Sequence, residues 1–429
     1  MSTNRELVAS VNGIEVGTLR DEANIWSFEY SENWQEASES FDLAPNLPRD
    51  RGTITDGSSQ RPVQWFFDNL LPEEQARAVL SAEAKIDSND AFGLLAYYGK
   101  ESAGAITLLR PGEVSAESGL RPLSDEALHA RIANLPRQSL AAQAPKHMSN
   151  AGAQHKLAVC VVDGKLFEPV GATASTHLLK PDHVDAELWP NTVANEYFVM
   201  RLARRLGLSV PDVAIRYVPD PVYLIQRFDR QTLENEIHRL HAVDACQLLG
   251  VDRTFKYQQS SLENLHRCVE FCRDLARSRL RVLSWVIFNV LTGNADAHLK
   301  NLSFLVSPRG IVLAPFYDLV STESCHTAPD SQPRWTDVEL STQMGDAKTF
   351  GAVTRKDCYA AADALGVPQR VVKRMLDAML ETIGIAADEI FKEFESMKFP
   401  DPATRGGQIR ALMKIRGIVI KEMTRKLSS

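Results

Sequence analysis

The sequence predicts an α+β protein with a β-rich N-terminal subdomain, a second lobe built from strands around one helix, and a mostly helical C-terminal half. Three observations carry this reading. Asn12-Gly13 separates two apolar runs at 7–11 and 14–19, and Asn-Gly there marks a tight hairpin because both central residues of a type I′ turn need positive φ. A second group of strands, at 157–162, 165–169 and 177–180, surrounds an Asp163-Gly164 turn. From residue 240 onward apolar residues recur at helical spacing, as Leu283, Val286, Ile287, Val290 and Leu291 do. At 429 residues the chain exceeds the length at which a single core stops growing, so several domains are expected.

The elements follow in order. A third strand at 25–30 places Trp26, Phe28 and Tyr30 on one face. After a polar loop at 47–52, Phe66-Phe67-Asp68-Asn69-Leu70-Leu71-Pro72 leads into a helix at 74–84, then a helix at 91–98 and a strand at 103–109. Pro111, Pro122, Pro136 and Pro145 mark a connector with one short helix at 125–133. The expected divisions are a β-rich unit at 1–112, the connector at 113–145, a strand-containing lobe at 146–230 and a helical lobe at 231–429. Within the third division a loop at 149–156 precedes the strands. A helix at 192–206 ends at Gly207, and a strand at 223–228 forms a hinge. In the last division a helix at 274–291 stops at Thr292-Gly293. It delivers a loop at 294–301, a hairpin at 302–306 and 310–314, and then Asp318. Amphipathic helices fill 355–426.

Composition narrows the function. A formal charge of −7 and a pI near 5.9 argue against a surface that binds nucleic acid as a whole. The six cysteines form no C-x-x-C pair, and the N-terminus has no apolar signal core, so a reducing cytoplasm is expected. The longest apolar run, 282–291, is too short to span a bilayer.

The chemistry concentrates in Asn294-Ala295-Asp296-Ala297-His298-Leu299-Lys300-Asn301 and Pro315-Phe316-Tyr317-Asp318. An Asp, an Asn five positions on, and a second Asp beyond a short hairpin form the pattern with which kinases orient a hydroxyl and hold magnesium. In isolation this spacing arises often by chance in a chain this long, and the first two residues then read as a helix cap and a turn Asn. The order of partners favours phosphoryl transfer and a two-lobed protein-kinase-like fold: a flexible loop, Lys180 at a strand end, Glu196 on a helix, a hinge, then Asp296, Asn301 and Asp318. Asp296 would orient the acceptor hydroxyl, Asn301 and Asp318 would supply oxygen ligands to magnesium, and Lys180 would bind phosphate as a mobile charge. Glu196 reads either as the partner of Lys180 or as a helix-surface acid. The loop at 149–156 could present backbone N–H groups to phosphate, and Ser149 is a hydroxyl beside it. His298 reads either as a general base or, since Asp296 already supplies the hydroxyl contact, rather as a structural hydrogen-bonding residue of the loop. His266, Cys268 and Cys272 lack a fourth ligand at metal spacing.

These residues, with Ser102-Ala103-Gly104-Ala105-Ile106, Thr176-His177-Leu178-Leu179-Lys180, Asn195-Glu196, Arg227-Phe228-Asp229-Arg230, Asp244-Ala245-Cys246-Gln247 and Lys256-Tyr257, make the chain similar to the HipA family. Its members are bacterial Ser/Thr protein kinases, the toxins of HipBA-type toxin–antitoxin pairs. The resemblance implies ATP and Mg2+ as cofactors and Asp296 as the catalytic residue. It implies metal ligation by Asn301 and Asp318, and nucleotide contacts from Ala151, Gly152, Ala153, Gln154, Lys156, Lys180, Gln226, Phe228, Asp229, His298, Lys300, Asn301 and Asp318. It also implies self-inhibiting autophosphorylation at Ser149. The implied partners are a HipB-like helix-turn-helix antitoxin, operator DNA reached mainly through it, and a protein acceptor such as the glutamyl aminoacyl-tRNA synthetase. The chain departs from the family pattern at His155, where the loop usually has Glu, and at Ala295 and Ala297, where Thr and Gly are common; none of these removes a ligand. Two other readings stand beside this one: a catalytically weak co-repressor subunit and a small-molecule kinase.

Overall fold

The computed structural model describes residues 5–114, 117–148, 151–152, 154–234, 236–328 and 330–428. The chain forms two compact units. The first comprises residues 1–180, 225–256 and 303–314; the second comprises 181–224, 257–302 and 315–429.

The first unit opens with β1 (Arg5–Val11), β2 (Ile14–Glu22) and β3 (Ile25–Tyr30). With β4 (Ile54–Thr55) and β5 (Ile106–Leu109) they form an antiparallel sheet in the order β4-β3-β2-β1-β5. Asn12 and Gly13 both take positive φ, 49° and 83°, as the tight turn requires. The Asn12 side chain also accepts from the Arg239 N–H and donates to the Arg239 carbonyl, each at 2.9 Å. Period-2 alternation buries Leu7, Ala9 and Val11 on β1 and Trp26, Phe28 and Tyr30 on β3. Helices Pro62–Asp68 and Ala91–Tyr98 cover this face. Phe67 packs on Phe28 with centroids 5.4 Å apart, and Phe92 meets Trp26 edge-on at 5.2 Å; such pairs add about 0.5–1.5 kcal/mol each beyond burial. β5 begins three residues later than the alternation suggests, because residues 101–104 are drawn into a buried charge cluster described below.

A second antiparallel sheet of this unit runs β6 (Gly119–Pro122), β8 (Lys165–Val170), β7 (Leu157–Val162), β9 (His177–Pro181). The connector therefore contributes an edge strand where the sequence suggests only irregular chain. Glu168 explains the attachment. Its carboxylate is 1% exposed and takes Arg121 at 2.6 Å and Arg131, on the connector helix Asp125–Ala133, at 2.7 Å. A buried carboxylate without cations would be prohibitively costly, so the connector must lie down on the sheet. Ala242–Asp244, Ser303–Ser307 and Gly310–Leu313 form a third, three-stranded sheet.

The second unit is mostly helical. Helix Leu275–Thr292 starts at Asp274, whose side chain accepts from the Arg277 N–H, and ends at Gly293 with φ +65°. A side chain at Gly293 would meet Val419 Cγ1 at 2.7 Å, so the residue is required both for the left-handed cap and for the close approach of the turn at Ile415–Ile420. Helix Thr192–Arg205 packs beside the 27-residue helix Gln369–Glu395. Tyr197 lies against Phe394, and Arg205 pairs with Glu389 and Glu393. Strand Val213–Tyr217 has no counterpart among the sequence-based expectations; its five residues carry little burial contrast.

His241, in the first unit, is fully packed between Phe41 and Phe66, and its Nε2 meets the Leu43 carbonyl at 2.8 Å. Burial pushes the imidazole pKa down from 6.5 to about 4, the Leu43 hydrogen bond offsetting only part of the shift. A base with a depressed native pKa contributes fully above its unfolded value and loses that contribution as pH falls toward the native value. Between pH 6.5 and 4 the wild type should therefore lose about 3 kcal/mol more than His241→Gln; chemical denaturation of both proteins at pH 7 and pH 4.5 checks this.

Candidate functional site

The first unit carries the expected nucleotide-side residues. Gly152 has φ +105°, and its carbonyl accepts from the Glu73 N–H at 3.3 Å beside an isolated bridge to Pro72. Glu73 is buried and takes the Lys256 ammonium at 2.6 Å. The motif that ends at Pro72 thus holds one side of the phosphate-type loop. Lys156 closes the other side by donating Nζ to the Ala151 carbonyl at 2.6 Å. A Cβ on Gly152 would lie 2.6 Å from that same Nζ, and the positive φ by itself favours glycine here. Ala151 and Gln154 are half-buried. Ser149 and Ala153 lie outside the described residues. Lys180, on β9, is buried at 6% exposure.

The hinge strand, Pro221–Gln226, leaves Gln226 exposed and Phe228 half-buried, which suits both to a ligand. Asp229 is different. The resemblance places it on the adenine and ribose side; its carboxylate is buried, takes Arg227 at 2.7 Å and Arg230 at 3.2 Å, and accepts from the Gly104 N–H at 2.7 Å. Burial raises its pKa, but the two guanidiniums outweigh burial and hold it at about 2. These contacts give Asp229 a structural task in this unit. Gly104 is required because a side chain there would strike the Ala242 backbone at 2.8 Å.

Under this hinge sits Glu101, with no exposed surface. Its carboxylate meets Lys146 at 2.7 Å, Arg239 at 2.8 Å, Arg230 at 2.9 Å and Arg227 at 3.6 Å. It also accepts from the Ser175 hydroxyl at 2.9 Å. Burial pushes the acid up, yet the four cations hold it well below the carboxylate range.

The second unit carries the expected catalytic loop. The Asp296 N–H donates to Asn294 Oδ1 at 3.0 Å, and Asn301 Nδ2 donates to the Asp296 carbonyl at 2.7 Å. Asn294 is itself held by Asn289 Oδ1 at 2.8 Å. The loop is also tied to the segment after Asp318, since the Ala295 N–H donates to Thr322 Oγ1 and the Glu323 N–H to the Gly293 carbonyl. His298 is buried, with Nε2 3.8 Å from Asp296 Oδ1, and Lys300 is buried as well. The Asp296 carboxylate is 43% exposed, so it remains reachable by an acceptor.

Asp318 is positioned by its two predecessors. Phe316 is buried against Trp285, its N–H donating to the Ser209 carbonyl, and the Tyr317 hydroxyl donates to the Lys300 carbonyl at 2.7 Å. Asp318 then turns into the left-handed region at φ +58°. Tyr223, wholly buried, has its phenol pKa raised well above 10, first by burial and then by the carboxylates of Glu196 and Asp318. Glu196 therefore sits buried beside Tyr223 rather than on the helix surface.

Because Asn301 gives its amide nitrogen to Asp296, its amide oxygen is the atom presented elsewhere. With Asp318 it makes two hard oxygen donors, a set that fits magnesium completed by phosphate and water. Among the described residues no group of three or more His, Cys, Asp or Glu could hold a metal ion. Sequence reasoning assigned no role to Glu101, Glu73, Asn294 or Tyr257. The Lys256-Tyr257 pair was visible as a motif, but nothing in its spacing indicated what it touches.

Residues 148–386 match the family model for the HipA-like C-terminal domain, and residues 7–109 match that for the HipA N-terminal domain. The chain is 34% identical over 379 residues to the Y4mE protein of Sinorhizobium fredii, covering 85% of this chain and 87% of that protein. It is 30% identical over 417 residues to the serine/threonine-protein kinase toxin HipA of Shewanella oneidensis, covering 89% and 91%. A solved complex of HipA, HipB and operator DNA from Shewanella oneidensis MR-1 contains a chain that superposes with TM-score 0.78 at 26% identity, covering 98% of this chain and 99% of that one.

The Glu101 cluster yields a stability prediction. Glu101→Gln leaves Lys146, Arg227, Arg230 and Arg239 around a neutral amide, and uncompensated buried charge of this kind costs about 3–5 kcal/mol. A urea titration should show that loss in the variant, whereas Glu6→Gln on the exposed face of β1 should change stability by less than about 0.5 kcal/mol.

Proposed function

This chain belongs to the HipA family of serine/threonine kinases, and from that membership we propose that it transfers the γ-phosphate of ATP to a protein hydroxyl through Asp296. The observation that carries this reading is the second unit's loop. Asn294 and Asn301 fix the backbone of Asp296 from both sides, while its carboxylate stays open to an acceptor. A carboxylate so held can accept the hydroxyl proton as the oxygen attacks phosphorus, which is the positioning that phosphoryl transfer demands.

The other residues divide the remaining work. Lys180 binds the nucleotide phosphates, and the backbone of Ala151, Gly152, Ala153 and Gln154, with Lys156, encloses them. Gln226 and Phe228 face the base, and His298 and Lys300 support the catalytic loop. Asn301 and Asp318 hold magnesium, which when bound neutralises charge on the transferring phosphoryl group.

The acceptor is a serine or threonine of a protein, an aminoacyl-tRNA synthetase such as the glutamyl enzyme being the candidate that the resemblance supplies. Ser149 is proposed as a second acceptor in the chain itself. Phosphate there adds about −1.5 to −2 charge beside the phosphate loop and would repel ATP unless the loop moves, which silences the enzyme. The Shewanella oneidensis complex supports a HipB-like antitoxin as partner, through which this acidic chain would reach operator DNA. Among the described residues no helix is long and apolar enough to cross a membrane, and the cytoplasm is the proposed location.

The test is incubation of the purified protein with magnesium and labelled ATP, followed by phosphosite mapping. Asp296→Asn should lower transfer by more than about a hundredfold while ATP still binds in calorimetry; full activity in that variant overturns the assignment. Phosphate should appear on Ser149 in the wild type and be lost in Asp296→Asn.

A further inference from the structure

We infer that Tyr257 is a positioning residue of this kinase, its phenol O–H setting the orientation of the Asp296 carboxylate for the acceptor. The inference rests on the assignment of Asp296 above and extends it to a residue from outside the catalytic loop.

The Tyr257 hydroxyl donates to Asp296 Oδ1. The backbone on either side of the acid is already immobilised, by the Asn294 side chain at its N–H and by the Asn301 side chain at its carbonyl. Rotation of the side chain about its own bonds is then to be set, and a hydrogen bond to one carboxylate oxygen contributes to setting it. His298 approaches the same oxygen, with Nε2 at 3.8 Å. Its imidazole meets the Tyr257 ring edge-on, centroids 4.8 Å apart and planes at 82°. The phenol therefore orients the acid directly and packs the histidine beside it.

The placement of Tyr257 follows from its neighbours in the chain. Lys256 before it is buried and ion-paired to Glu73. Three residues on, the buried Ser260 shares a hydrogen bond with Thr342, and Ser261 caps helix Leu262–Glu270 by accepting from the Asn264 N–H. The Tyr257 side chain is 46% exposed, with its hydroxyl on Asp296.

Tyr257→Phe keeps the ring and its packing on His298 and removes only the O–H. With magnesium and labelled ATP as the probe, total γ-phosphate turnover, counted as phosphate on protein plus phosphate released to water, should fall about tenfold at saturating ATP. Half-saturation by ATP should stay within twofold of the wild type. A turnover equal to the wild type, or a raised KM for ATP with unchanged kcat, overturns the inference. Asp296→Asn run in parallel separates the two levels: activity in that variant, or a wild type that transfers nothing, overturns the site assignment and this inference with it. An inactive Asp296→Asn beside a fully active Tyr257→Phe overturns the inference alone. Thermal unfolding of Tyr257→Phe at the wild-type temperature excludes loss of fold as the cause.

Discussion

One buried carboxylate organises the first unit. Glu101 has no exposed surface and gathers cations from the connector, the hinge and the hairpin that follows it. An acid taken out of water must be surrounded by compensating charge, and four cations drawn toward two acids, Glu101 and Asp229, can be satisfied in few arrangements. The cluster acts as a specificity device: segments more than a hundred residues apart meet here because their charges have no acceptable alternative. The hinge strand and the three-stranded sheet at Ala242–Asp244 inherit their placement from it, through the Gly104 contacts to Asp229 and to the Ala242 backbone.

The catalytic loop is organised by another means. Side-chain amides hold its backbone. Asn289, Asn294 and Asn301 each satisfy a polar group next to Asp296 or behind it, so the backbone of the proposed proton acceptor is fixed by neutral partners.

Much of this was legible in the sequence where the determinants are local. The Asn12-Gly13 turn, the helices at Glu74–Ala84, Ala91–Tyr98 and Asp125–Ala133, and the stop at Gly293 are all set by residues within one or two turns. The catalytic pattern was legible for the same reason, since Asp296 and Asn301 share one loop and Asp318 follows a single hairpin. Glu101 was illegible because its partners, at 146, 227, 230 and 239, have no periodic relation to it. The edge strand Gly119–Pro122 was hidden likewise: its residues carry no strand signature, and it is held by Arg121 reaching a glutamate 47 positions away. The structural ties of Asp229 were hidden in part for the same reason, since one of its donors, the Gly104 N–H, lies 125 positions away.

Asn195 carries a consequence of its own. Its side chain donates to the Ser321 carbonyl at 2.9 Å and accepts from the Ser321 N–H at 2.8 Å, so one amide imitates the edge of a peptide strand and pairs with a single residue of the segment beyond Asp318. A helix has no backbone groups to spare for such pairing, and a borrowed amide supplies them. The mimicry is exacting: aspartate could only accept, and glutamine would carry the same amide one methylene too far. In a helix where neighbouring apolar positions tolerate exchange of one aliphatic for another, this position admits a single amino acid, for reasons of hydrogen-bond polarity and reach alone.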